Sequence, residues 1–192
     1  AELANLGIPQ STTGELSATM NASRSGRDSQ VDASGSVTLE DISLGGRPLK
    51  AGRTDIRLSG ARFNPSDNAA SADAVRMESA LGTMEMREVR IDSGFARQGT
   101  LTGSLDLEKF NDTFASYTGD PAVPGLGGQL DFEVGFVGAE NATEISGDAV
   151  ISSLTVGVGA SALADDKVEL SIDALLDATE NRVVLGRNRV AT

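Results

Sequence analysis

Histidine, cysteine and tryptophan are all missing from the 192 residues, and aromatics amount to six Phe and Tyr117. Without His or Cys there is no Ser-His or Cys-His nucleophile system, no ordinary zinc site and no disulfide framework. The redox compartment therefore cannot be read from cysteine usage. Carboxylate pairs remain, at Asp165-Asp166 or Asp67 with Asp73, but they stand in Ala/Ser/Asn-rich stretches without the aromatics on which sugars stack. The chain reads as non-enzymatic, with no cofactor expected and no metal site assigned. Asp67, Asn68 and Asp73, or Asp165 and Asp166, offer hard oxygen ligands for calcium, yet no EF-hand or nonapeptide pattern surrounds them, and solvated loops are the simpler reading.

Long apolar runs are also missing. No window approaches the ~18 residues of a membrane helix. The sequence opens at Ala1 without an initiator Met or a signal-type apolar segment, so any anchor or targeting signal is expected outside it. Positive charge is scarce too. A net charge of -12 repels a phosphate backbone, which argues against nucleic acid and anionic headgroups as main partners. Arg47, Lys50, Arg53 and Arg57 gather near one turn and strand, either as a contact for an anionic partner or as a solvated edge that discourages strand aggregation. The sequons at Asn21, Asn111 and Asn141 are read as chance matches.

What is abundant is Gly, with common Ser, Thr and Ala, and an apolar/polar alternation of period two. Leu130 to Phe136 is the clearest half-buried strand. The same pattern runs through Leu16 to Met20, Val31 to Leu39, Ile56 and Leu58, Leu101 to Leu107, and Val168 to Ile172. Roughly ten strands fit, joined by short Gly, Asn, Asp and Ser turns. One segment breaks the period: Leu107, Phe110, Phe114 and Tyr117 fall on one helical face, and Gly119-Asp120-Pro121 ends that helix. Residues 119–128, with Pro121, Pro124, Gly125, Gly127 and Gly128, form the best boundary.

Gly14-Glu15-Leu16-Ser17 has a counterpart in Gly128-Gln129-Leu130-Asp131, and Ser34 to Gly45 lies against Ser146 to Gly157 in register. The expected organisation is a first β unit over residues 1–120 that ends in the short helix, and a second, partial β unit over 121–192 packed on the same sheet. The fold class is all-β and mainly antiparallel: an extended, twisted sheet curling into a groove or a flattened sandwich, built of imperfect repeats, with one short helix near 107–118.

The run Leu107 to Tyr117, then Gly128 to Val134, Ile145 to Asp148 and Leu154 to Gly157, resembles the repeating pattern of AsmA-like proteins. In that pattern a short helix precedes a Gly-x-Leu-x-Leu strand, a hairpin, and a strand ending Leu-Thr-Leu-Gly. The likeness covers residues 105–190 best and 14–60 more weakly. It implies a periplasmic or envelope protein of Gram-negative bacteria, anchored in a membrane by a segment elsewhere. Its β-groove would carry phospholipid acyl chains in outer-membrane maintenance, packed with other segments of a longer envelope protein. The groove lining expected on this reading is Leu16, Met20, Leu130, Phe132, Val134, Phe136, Leu170 and Ile172. The other reading is a structural or adhesive β repeat of a surface protein, with a closed core and calcium-binding loops.

Overall fold

The computed structural model describes residues 13–25, 30–44, 46–48, 52–65, 67–92, 95–118, 124–139, 142–159, 162–177 and 182–191. Twelve strands form one antiparallel sheet that does not close on itself. The strands are β1 (Thr13–Ser25), β2 (Gln30–Leu44), β3 (Arg47–Pro48), β4 (Thr54–Asn64), β5 (Ala69–Ser79), β6 (Gly82–Asp92), β7 (Phe95–Asp106), β8 (Gly127–Ala139), β9 (Ala142–Val156), β10 (Leu163–Asp177), β11 (Arg182–Leu185) and β12 (Arg189–Ala191). Their order is β1-β2-β4-β5-β6-β7-β8-β9-β10-β11, with β3 added to β2 and β12 to β10. This up-and-down order is what short turns between alternating segments dictate, since antiparallel neighbours need no crossover. The all-β expectation holds. The sheet takes the open, groove-like form, and no second sheet lies on it among the described residues.

The one helix among the described residues, α1 (Leu107–Thr118), falls where the 3.6-residue period put it. Asp106 caps it: its carboxylate accepts a hydrogen bond from the Lys109 backbone N–H at 3.1 Å and pairs with the Lys109 ammonium at 3.0 Å. These contacts hold the Asp106 carboxyl below its ordinary range, the Lys109 backbone bond first. At the other end the Ser116 hydroxyl donates to the Pro48 carbonyl of β3. The aromatic stripe is not the buried side of α1. Phe110 and Phe114 stack on each other with centroids 6.3 Å apart and stay largely exposed, whereas Asn111 and Thr113 are the buried pair. The side chain of Tyr117 and residues 119–123 lie outside the described set.

Two devices shape the sheet. In β4, β5 and β6 the inward parity switches midway: Leu58 and Ala61, Val75 and Ala72, and Met86 and Val89 point to one side although each pair is three residues apart. The switch passes through Gly60 (φ 57°), Asp73 and Glu88 (φ 52°), and a Cβ at Gly60 would collide with the Asp73 carboxylate. Because all three strands switch in step, the register between them is the same on both sides of the switch. The mismatch is taken up as bulges against β2, between Ala33 and Gly35, and against β7, between Arg87 and Arg90.

The second device occurs twice. Hairpins β1–β2 and β8–β9 each begin with a glycine of positive φ, Gly14 at 147° and Gly128 at 123°, at a register shift. Each carries a left-handed non-glycine in its second strand, Asp41 at 52° and Ser153 at 53°. Each also has a glycine, Gly35 or Gly147, whose Cβ would strike the neighbouring strand's backbone carbonyl. These positions match in the two stretches that the sequence aligns.

Candidate functional site

The pairing register places side chains row by row, because directly opposed residues share a face. One row runs Met20–Gly35–Leu58–Val75–Met86–Leu101–Val134–Gly147–Ile172 across nine strands. Its neighbour toward the β8 start runs Val37–Ile56–Met77–Met84–Gly103–Phe132–Ala149–Leu170 and reaches Val190 on β12. The opposite face reads Ser36–Arg57–Arg76–Glu85–Thr102–Glu133–Asp148–Ser171. Along these rows the sheet has one apolar face backed by one polar face; farther along the strands the polar side also carries Val137, Leu175 and Val184, and the apolar side Thr54 and Ser79.

Leu16, Met20, Leu130, Phe132, Val134, Phe136, Leu170 and Ile172 all fall on this apolar face. They are not equivalent there. Leu16 and Met20, on the outer strand β1, are 68% and 62% exposed, while the β8 residues are half-buried by the curl and twist of the sheet. Phe132 lies over Gly103 and Phe136 over Gly99, so the two rings roof the bare backbone of β7.

Nothing in the described chain covers the face. Among those residues only Ala72, Ala149, Val168 and Ala174 make up the buried apolar set, and no large side chain is fully buried. Stable domains bury an apolar face against a second layer, and the described residues supply none.

The face deepens beyond the parity switch into an apolar pocket of about 280 Å³, walled by Leu58, Phe63, Ala72, Val75, Val89 and Ile91. Of these, Phe63, Ala72, Val89 and Ile91 were not among the residues the sequence singled out. The available signal was the change of apolar positions from Met84 and Met86 to Val89 and Ile91, an even-to-odd step that marks a kink.

The polar face holds a wider, shallower trough of about 520 Å³. Charge there is locally paired at one end. Asp55 accepts from Arg53 and from the Thr38 hydroxyl at 2.6 Å, which holds its carboxyl below the usual range, and Glu85 is lowered in the same way by Arg87. Glu133 and Asp148 oppose each other directly, a like-charge pair that costs stability.

The carboxylates considered for calcium do not converge. Asp67 accepts from the Asn64 amide at 2.6 Å, Asp73 faces Arg62 at 3.6 Å, and Asp165 accepts from the Lys167 backbone N–H. Among the described residues no three His, Cys, Asp or Glu side chains assemble a metal site. Arg53 is bound to Asp55 and Glu40, Arg47 and Arg57 are exposed, and Lys50 lies outside the described residues. No helix among the described residues is long and apolar enough to cross a membrane. No protein-family model matches this chain, and no curated protein and no solved structure matches it either.

Proposed function

We propose that the apolar face binds phospholipid acyl chains, making this chain a non-enzymatic lipid-binding segment of a bacterial cell-envelope protein. The observation that carries the reading is an apolar face, continuous in rows across nine strands, that no other described element covers. Acyl chains suit it because the two rows are aliphatic apart from Phe132 and carry no polar side chain that would demand a partner. Each acyl methylene removed from water contributes about 0.8 kcal/mol, so a contact of several methylenes reaches useful affinity without directional bonds. The likeness to AsmA-like proteins points the same way and supplies the periplasmic or envelope location, the membrane anchor outside this segment and the role in outer-membrane maintenance.

A second reading has its own support. Gly35, Gly103, Gly147, Ala149 and Ala174 make parts of the face low, which suits close packing against another protein surface in a structural repeat.

Native mass spectrometry with lipid extraction, on protein purified gently from a membrane-containing bacterial lysate, separates the two. Co-purifying phospholipid that disappears in a folded Phe132→Asp variant supports the trough. A stable, lipid-free wild-type protein refutes it.

A further inference from the structure

We infer that the β1 edge is a self-association site, at which a second copy of this chain adds its own β1 antiparallel to the first and extends the sheet about a twofold axis. The inference is independent of what fills the apolar face.

Among the described residues β1 pairs only with β2, so one side of a 13-residue strand presents open backbone N–H and C=O groups. Natural edges are blunted by Pro, Lys, shortness or bulges. From Leu16 to Ser23 β1 has none of these: it is regular against β2, and its only charges, Glu15 and Arg24, flank that stretch. The other edge is protected. There β11 and β12 have four and three residues. The loop between them is tied down on β10, where the Gly186 N–H donates to the Asp173 carbonyl at 2.8 Å and the Asn188 amide oxygen accepts from the Asp173 N–H at 2.8 Å. Of the two edges of the described sheet, β1 is the one built to accept a strand.

The chemistry of β1 selects its own copy. A twofold axis perpendicular to the sheet keeps like faces on the same side. With Thr19 opposite its symmetry mate, Leu16 faces Ala22 and Ala18 faces Met20 on the apolar side. Ser17 faces Asn21 on the polar side, and Glu15 faces Ser23, so no like charges meet. The exposed Leu16 and Met20 then lie inside a continuous apolar face. Charge distribution allows the approach despite the net -12. The polar-face carboxylates nearest the β1 edge have cationic neighbours, Glu40 and Asp55 at Arg53 and Asp32 at Arg62, while Glu133, Asp148, Glu169 and Asp173 lie on β8 to β10, and β8 is six strand positions from β1. That is about 29 Å along the sheet, well beyond the ~8 Å over which exposed charges act at physiological salt.

The test exploits the absence of cysteine. In sedimentation equilibrium the wild-type protein is expected at twice the 19.8 kDa chain mass. Thr19→Cys is expected to form a disulfide dimer under mild oxidation, whereas Ser36→Cys on the interior strand β2 is not. Thr19→Lys, which sets two ammonium groups opposite each other, should give monomer, and mixing it with Thr19→Glu should restore the dimer. A wild-type monomer at every accessible concentration overturns the inference. So does a dimer that survives Thr19→Lys, because its interface then lies elsewhere.

Discussion

Replacing Val134 by Asp probes the middle of the apolar face with the least damage to the sheet. Val134 sits on β8 between Leu101 of β7 and Gly147 of β9, and it is half-buried in the absence of any ligand. In the free protein the new carboxylate keeps access to water from the open side, so the folded state should persist. In a lipid complex the same position is sealed beneath acyl chains. The variant then loses about 1.5 to 3 kcal/mol of apolar burial, and must desolvate a carboxylate at a cost of several kcal/mol. A combined penalty of ~4 kcal/mol or more weakens binding by roughly a thousandfold, at 1.4 kcal/mol per decade. The assay is titration of a fluorescent phospholipid analogue, with circular dichroism to verify the sheet. Ser36→Asp, on the polar face beside Arg57, is the control and should bind like wild type. Equal affinity for Val134→Asp, Ser36→Asp and the parent would refute the assignment of this face to lipid.

Glu88 holds a left-handed backbone at φ 52°, which costs a non-glycine residue about 1 to 2 kcal/mol, so Glu88→Gly is expected to raise stability by about 1 kcal/mol in urea unfolding. Asp106→Ala removes the α1 cap and should lower stability by about 1 kcal/mol, with loss of helical signal rather than of strand signal. Asp55, Glu85, Asp106 and Glu169 all have carboxyl pKa values below their ordinary ones, each through a hydrogen-bonded basic or backbone donor. A depressed folded pKa means that the unfolded chain binds protons first as pH falls. Their contribution is thus present at neutral pH and should be lost as pH drops below about 4, through the carboxylate range. An unfolding midpoint that rises on acidification to pH 3 would contradict this assignment.

The class of fold was readable because polar and apolar residues alternate through Leu130 to Phe136 of β8 and Val168 to Ile172 of β10, and antiparallel pairing keeps each set on its own side. The helix was readable for the same reason, since Leu107, Phe110 and Phe114 leave the two-residue period together. What α1 does with that stripe was not: Phe110 and Phe114 stack on each other outside, and Asn111 and Thr113 turn inward. The pocket at Phe63, Val89 and Ile91 was hidden because the parity of β4 to β6 changes at Gly60, Asp73 and Glu88, and a fixed period assigns everything beyond the change to the wrong face. Alternation also cannot count layers. The sequence of Leu130 to Phe136 is the same whether a second sheet or something else covers it, and only the arrangement of the strands shows that no second layer lies on it among the described residues.

The most direct test of that account is to see what touches the face. In the phospholipid-loaded protein, nuclear Overhauser effects should connect the methyl groups of Leu101, Val134 and Ile151 to acyl methylene protons, while the methyls of Val150, on the polar side, show none. If those inner-face methyls instead contact only other protein methyls, the face is closed by protein and the lipid-binding account is contradicted.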